Sequence, residues 1–481
     1  MRESKMKVMP DNFLWGASHS AYQYEGAAQE DGKKLSQMDV NNYNTGFSDA
    51  SVASDGYHRF REDIALMKEC GFTAHRFSFS WSRVFPDGVG NVNPEGIQFY
   101  DEFIDELLKN GIEPLPTLYH YDMPMALVDK YGGWIDRQSV DDFTAYAKFM
   151  INRYKDKIKH WITVNEQSII VEFWTKKNYI PEEYLQNPQI KYQINHHMNL
   201  AQAKACKLVH ELVKDGKAGA AIGYSPIYGL DSSPKNMLAM LNAEDLKNHF
   251  FLDIYFKGQY PKGAMSYLKE KNIAPTILEG DMDVIKEGYS DFLGVNYYAS
   301  KCVKYPDESL TEIIDAKSNL SGKKGDMGAY ELMPDFYQYL KNPRAETNDW
   351  DWTVDPTGME YLLRDIYQRY EIPMIITENG YGAHDVLTED ERVHDDYRID
   401  YWKTHLKSVY RAMELGVEVF GFLPWSFVDV LSTSNGYNKR YGMVYVNRED
   451  KELLDLKRIK KDSFYWYQNV IKTRGACLFE E

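Results

Sequence analysis

Two glutamates, each closing a short apolar run, are the residues of this chain best suited to chemistry. Trp161-Ile162-Thr163-Val164-Asn165-Glu166 is the first run and Met374-Ile375-Ile376-Thr377-Glu378-Asn379-Gly380 the second. Both are short, β-branched and closed by polar residues, so both predict buried strands. A carboxylate placed where a buried strand runs out sits at the mouth of a core. Two carboxylates facing each other there can cleave a glycosidic bond, one as proton donor and one as nucleophile. Either glutamate alone is better explained as a strand end reaching solvent. The other polar strand ends tip the balance towards chemistry.

The elements that must position these groups alternate along the chain. Strand-like runs are predicted at Phe13–Ala17, Ala74–Ser80, Pro114–Tyr121, Trp161–Glu166, Ala220–Ser225, Phe292–Tyr298, Met374–Glu378 and Val419–Trp425. Amphipathic helical stretches separate them. Tyr57, Phe60, Ile64 and Met67 recur at helical spacing, with Gly71 as a stop signal. Ser139 and Asp142 resemble a capping box ahead of Phe143, Tyr146 and Met150. Eight alternating βα units predict an α/β fold, a single (β/α)8 TIM barrel over residues 1–481. The chain exceeds the roughly 250 residues such a barrel needs, so its βα loops must be expanded, with insertions expected at 24–54, 167–195, 299–350 and 426–448. An open doubly wound sheet is the rival topology, but the glycine-rich phosphate turn it calls for is missing.

Composition narrows the function classes. Hydrophobic residues make up 43% of the 481, enough for a large core. Seventy-two acidic side chains against 56 basic ones give a net charge of −16. That argues against a nucleic-acid partner, and it obliges any anionic substrate to be held by a local positive group. Cys70, Cys206, Cys302 and Cys477 lie far apart with no metal-ligand spacing, which fits free thiols in a reducing compartment. The N-terminal segment is charged and leads to no long apolar stretch, so neither a secretory signal nor a membrane span is expected, and the protein is expected to be cytoplasmic. No metal or cofactor is called for. The Asn319-Leu320-Ser321 sequon is read as chance.

In a barrel of this kind chemistry collects at the C-terminal ends of the strands. Those ends carry Gln23 within Tyr22-Gln23-Tyr24-Glu25, then Arg76, His120, Asn165 with Glu166, Tyr298 within Asn296-Tyr297-Tyr298, Glu378 and Trp425. A ring of donors and acceptors with aromatic surfaces suits a pyranose, whose hydroxyls need paired partners and whose C–H face needs an aromatic platform. Singly, His120 or Trp425 is a core residue and Arg76 a structural ion pair. A phosphosugar isomerase or aldolase would want a Schiff-base lysine or metal ligands at these ends, and none is present.

With these pieces assembled the chain resembles glycoside hydrolase family 1 along essentially its whole length. The resemblance is carried by Phe13-Leu14-Trp15-Gly16 through Tyr24-Glu25-Gly26, Tyr57-His58-Arg59-Phe60, Trp81-Ser82-Arg83, His120-Tyr121-Asp122-Met123-Pro124, Thr163-Val164-Asn165-Glu166, Asn296-Tyr297-Tyr298 and Ile376-Thr377-Glu378-Asn379-Gly380. It implies a retaining β-glycosidase with Glu166 as acid/base and Glu378 as nucleophile. Arg76 and Tyr298 would orient the nucleophile and favour its charged form, while Gln23, His120, Asn165 and Trp425 would hold the sugar. Glu166 needs a drier setting to keep its proton. A non-catalytic glycan-binding barrel is the alternative of another class, but both carboxylates are retained here.

The stretch from Leu431 to Gly442 bears on the substrate. Asn435-Gly436 is a hairpin signal. A two-residue loop there pairs Ser432 with Lys439 and turns Tyr441 to the same side, with Arg440 facing away. A hydroxyl, an ammonium and a phenol on one patch suit a phosphate, although the segment alone is better explained as a solvated hairpin. The resemblance changes that weighting. Relatives acting on unphosphorylated sugars usually carry Glu-Trp where Ser432-Thr433 stand, and Ser432, Lys439 and Tyr441 are similar to the 6-phosphoglycosidase branch. Thr433, smaller than the Trp of galactose-preferring members, points to glucose, with 6-phospho-β-galactosidase or dual activity as the alternative. The expected partner is thus a phosphorylated disaccharide or aryl glycoside. Tyr337, Trp350 and Trp352 are candidates either for the outer cleft that takes the leaving group or for packing. The oligomeric state, homo-oligomer included, is left open.

Overall fold

The computed structural model describes residues 8–43, 46–172 and 181–480. Eight parallel strands, β1 (Leu14–Trp15), β2 (Ala74–Ser78), β3 (Glu113–Tyr119), β4 (His160–Asn165), β5 (Lys217–Gly223), β6 (Phe292–Asn296), β7 (Met374–Glu378) and β8 (Val419–Phe422), run in the sheet order 1-8-7-6-5-4-3-2. A parallel bridge between Ser18 and Arg76 joins the β1 side to β2 and closes the barrel. Each predicted run overlaps its strand, although β3 and β4 begin one residue earlier than expected and β5 three residues earlier. The (β/α)8 expectation therefore holds.

Ala74, Leu115, Ile162, Ala221, Phe292, Ile375 and Leu423, backed by Leu14 and Phe420, form an apolar plug inside the barrel. A second and much larger core lies between the strands and the surrounding helices. Side chains alternate along a strand, so residues two beyond the plug rise into the next layer towards the C-terminal mouth. The plug thus serves as the dry floor of whatever stands above it.

The helix Gly56–Cys70 buries Phe60, Ile64 and Met67 and ends at Gly71, whose φ of 94° lets its amide return to Met67 at 3.1 Å. The expected capping box does not form. Ser139 lies inside the helix Gln138–Tyr154 with its hydroxyl donating to the Asp136 carbonyl, and Asp142 accepts from Tyr131 and Gln138 instead. Asp136 does the capping, its carboxylate accepting from the Gln138 amide at 2.8 Å.

The expanded loops fall where they were expected. The insertion after β6 supplies three strands of a small sheet, whose edge strand Ile227–Gly229 comes from the segment after β5; the order is Ile227–Gly229, Lys301–Lys304, Tyr337–Leu340 and Leu332–Met333. The segment after β8 contributes Val444–Val446, paired with Arg458–Lys460. Part of the 167–195 insertion, residues 173–180, lies outside the described residues. All four cysteines are free. Among the described residues no helix is long and apolar enough to cross a membrane.

Candidate active site

Strand alternation delivers three groups directly to the mouth. Arg76 stands two residues beyond Ala74, Thr117 two beyond Leu115, and Trp425 two beyond Leu423. The two glutamates need more than alternation. Ile162 belongs to the inner plug but Val164 packs in the outer core, and the register slips between Ile162 and Asn165. A similar slip falls between Ile376 and Glu378. Such irregularities re-aim a side chain. Here they turn Asn165 and Glu378 inward. Glu166 then takes a left-handed backbone (φ 41°), as does Tyr121 (φ 70°), a conformation non-glycine residues avoid unless the surroundings impose it.

One hydrogen-bonded network joins the groups so aimed. Arg76, wholly buried, donates to Glu378 Oε1, to Asn165 Oδ1 at 2.6 Å and to Thr117 at 3.0 Å. The Tyr298 hydroxyl donates to Glu378 Oε2 at 2.7 Å. Asn296, its carbonyl taken by Thr377 at 2.6 Å, points Nδ2 at Glu166 Oε1 and Asn165 Oδ1, both at 3.0 Å. The Tyr121 hydroxyl donates to Glu166 Oε2 at 2.5 Å. Asn165 Nδ2 donates to His120 Nε2 at 3.1 Å. Because Asn165 Oδ1 already accepts from two donors, this orientation is fixed, and the His120 proton must sit on Nδ1. That atom is buried and has no protein partner. Gly223 leaves space beside Glu166, since a Cβ there would come within 2.9 Å of Oε1.

The electrostatics separate the two carboxyls. Burial, and then the charge of Glu378, push Glu166 up to about 7. Burial also raises Glu378, against the opposing pull of Arg76 and Tyr298. The expectation that these two neighbours would favour the charged form holds for their direction, but desolvation outweighs them. The order of ionisation still follows from the contacts. Glu378 is bonded to a guanidinium and Glu166 only to neutral donors, so Glu378 loses its proton first. Burial, followed by Arg76, holds His120 well below the usual imidazole range, as a neutral ring.

A cavity of about 350 Å³ contains both glutamates with Gln23, His120, Tyr298, Trp425, Ser432, Thr433, Lys439 and Tyr441 in its wall. Gln23 is anchored by Ser20 and by the Leu431 carbonyl, 2.7 Å from its Nε2. Its neighbours Tyr24 and Glu25 turn outward, to Asp63 and to Arg83 with Tyr100. The Trp425 ring leans on His120 at 5.9 Å. Thr433 shares a 2.8 Å hydrogen bond with the Tyr22 hydroxyl.

The hairpin register differs from the two-residue form. Ser432 pairs with Gly436, its amide donating to the Gly436 carbonyl at 3.0 Å and its carbonyl accepting in return at 3.2 Å. Three residues, Thr433 to Asn435, make the loop, and Gly436 takes the left-handed conformation that closes it (φ 58°). Ser432 and Lys439 are therefore not cross-strand partners, yet both line the cavity. Arg440 faces away, bonded to Asp429 at 2.9 Å and bridged through its backbone to Ala383. Lys439 is 2% exposed. Its Nζ lies 3.6 Å from the centre of the Trp352 ring, 4.6 Å from that of Trp350 and 5.5 Å from that of Tyr441. No acidic side chain among the described residues compensates it, and burial draws its pKa well below the usual ammonium range.

Every residue assigned from the sequence to the glutamates, the sugar or the phosphate thus reaches one cavity or, for Arg76 and Asn165, the layer directly beneath it. Two contributors were missed. Asn296 and Tyr121, which hold Glu166, stood inside quoted motifs without a role. Of the three aromatic candidates for the outer cleft, Trp352 lines the cavity, Trp350 is buried behind Lys439, and Tyr337 is a core residue donating to Glu331. Residue type alone could not rank them.

Comparison with known proteins gives a consistent picture. Residues 5–476 match the model of Glycosyl hydrolase family 1. The chain is 45% identical to Aryl-phospho-beta-D-glucosidase BglC of Bacillus subtilis (strain 168), with 98% of each chain covered. It is 38% identical to Aryl-phospho-beta-D-glucosidase BglH of the same organism, over 99% of this chain and all of the relative. Among solved structures, a beta-glucosidase from Thermotoga maritima in complex with glucoimidazole superposes with a TM-score of 0.86 at 32% identity, covering 98% of this chain and all of the other.

Proposed function

The chain belongs to glycosyl hydrolase family 1, and on that premise we propose that it hydrolyses 6-phospho-β-D-glucosides, disaccharide or aryl, to glucose 6-phosphate with retention of configuration. The reading takes residues 1–481 as one catalytic unit working in the cytoplasm. Lys439 carries it: a buried cation that no acidic side chain among the described residues pairs shares a cavity with the two glutamates. A solitary ammonium on aromatic faces is costly to bury unless an anion arrives to pair with it. A phosphate on the sugar's 6-position is such an anion, with Ser432 and Tyr441 supplying further hydrogen bonds.

Glu378, held by Arg76 and Tyr298, attacks the anomeric carbon. The C1–O bond to the leaving group breaks as the Glu166 proton passes to the departing oxygen. Water then attacks C1 and gives a proton to Glu166, and the ester bond to Glu378 breaks to release the sugar. Gln23 and the His120 ring face the sugar from the cavity wall, Asn165 holds His120 and Tyr121 in place from beneath, and Trp425 offers its face to the ring. Thr433, small and tied to Tyr22, leaves room for an equatorial hydroxyl and favours glucose.

The test compares p-nitrophenyl β-D-glucoside, its 6-phosphate and the galactoside 6-phosphate in wild type and Lys439→Ala. A charge-assisted hydrogen bond is worth roughly 1.5–3 kcal/mol. The variant should therefore lose about tenfold to a hundredfold or more of its preference for the phosphorylated glucoside. An unchanged preference in the variant, or a wild type that favours the plain glucoside, refutes the proposal.

A further inference from the structure

Glu166 has two opposite tasks in the proposed reaction. It must hold a proton until the leaving oxygen takes it, and it must be without one when water attacks. The groups facing it come from every side of the mouth: Glu378 on β7, Arg76 on β2, Tyr298 after β6, Tyr441 beyond β8, and neutral His120 reached through Asn165. From β5 no titratable group faces its carboxyl, where Gly223 leaves the space beside Oε1 and the Ala221 carbonyl accepts from the Glu166 amide at 2.8 Å. Two neutral donors touch its oxygens directly, the Asn296 amide on Oε1 and the Tyr121 hydroxyl on Oε2.

The Tyr121 contact is built with care. The side chain is 5% exposed, its backbone is left-handed, and its ring stands edge-on to His120 at 4.8 Å. Asn165 Nδ2 donates to the phenolic oxygen at 3.3 Å. The phenol's own proton is thereby directed at Glu166.

We propose that Tyr121 is a positioning residue for the second half of the reaction, holding Glu166 in its ionised form so that it can take a proton from water. The inference rests on the double-displacement reading above. Before attack the charge on Glu378 favours a protonated Glu166. Once Glu378 is esterified to C1 that charge is gone, while Tyr121, Asn296 and Arg76 remain and all favour the carboxylate. Water loses a proton to Glu166, its oxygen bonds to C1, and the ester oxygen leaves as the Glu378 carboxylate. Without the phenol the carboxyl keeps its proton longer and this half slows.

The experiment is Tyr121→Phe, which removes one oxygen and keeps the ring. With 2,4-dinitrophenyl β-D-glucoside 6-phosphate, whose leaving group needs no proton, kcat should fall about tenfold while kcat/KM changes little, and a burst of dinitrophenol should grow. The alkaline limb of kcat/KM with the p-nitrophenyl substrate should move up by about one pH unit. The Glu166 carboxyl titration, followed by carbon NMR in the free enzyme, should move up equally. An unmoved titration, or kcat and kcat/KM falling together at every pH, overturns the role of Tyr121. A wild type that leaves these glycosides intact overturns the substrate reading alone, because the NMR titration still decides for or against Tyr121.

Discussion

At the scale of single residues, Glu166 shows what the site costs the fold. Its carboxyl rises from an ordinary 4.5 to about 7 on folding. Below pH 4.5 it is protonated in both the folded and unfolded states and has no effect. Between 4.5 and 7 the unfolded chain releases the proton while the folded one retains it, so stability declines as pH rises. Above 7 the full penalty applies, ~3 kcal/mol for a shift of about 2.5 units. Glu166→Gln should therefore raise the thermal midpoint at pH 8 but scarcely at pH 4.5, and thermal unfolding at the two pH values checks it. A variant equally stabilised at both would mean that packing, not ionisation, sets the cost. The neighbouring residues show the same economy of position. Tyr121 and Asn296 stood in plain view in the sequence, yet nothing in their type distinguished a carboxylate donor from a packed ring or a strand-end amide.

At the scale of elements, the hairpin after β8 and the turn after β7 make the cationic end of the cavity together. Its base is rigid. Asp429 binds Arg440 and Lys461, Lys461 reaches Asp385, and Asp385 binds Arg398, all of them buried. Gly382, in the turn after β7, leaves the space that the Lys439 stem fills, for a Cβ there would lie 2.4 Å from Lys439 Cε. The Lys stem can give way, so Gly382→Ala should displace the ammonium from Trp352 without unfolding the protein. We expect KM for the phosphorylated glucoside to rise about tenfold, the worth of one charge-assisted contact, with turnover of the plain glucoside and the thermal midpoint nearly unchanged. Steady-state kinetics on both substrates decide it, and equal losses on the two would show a general distortion. The hairpin also marks where local pattern fell short. Asn-Gly announced a turn, but the pairing of Ser432 with Gly436 depends on the φ of Gly436 and on Asp450, whose carboxylate accepts from the Tyr437 amide at 2.8 Å.

At the scale of the whole molecule, a net charge of −16 surrounds the buried ammonium of Lys439, which no acidic side chain among the described residues pairs. A dianionic substrate approaches against that field and is attracted only at short range. Salt screens exposed charges over a Debye length of about 10 Å at 0.1 M and buried ones much less. Raising ionic strength from ~10 mM to ~150 mM should therefore increase kcat/KM for the phosphorylated glucoside and leave the uncharged glucoside nearly constant. A fall for the phosphorylated substrate would mean that surface cations, not Lys439, capture it.

The alternation of apolar runs and amphipathic stretches fixed the barrel, because each strand buried on both faces must be apolar throughout and each helix on one side only. The residues closing those runs, read together with the family resemblance, pointed to Glu166 and Glu378 as the proposed catalytic pair. Neither pattern could tell that the register slips before Asn165 and Glu378, that Asp136 rather than Ser139 caps a helix, or that no carboxylate among the described residues pairs with Lys439. Those outcomes belong to the tertiary structure, since burial, charge and hydrogen-bond partnership are set between residues far apart in the chain, Arg76 and Glu378 above all, and the chain must close before either acts on the other.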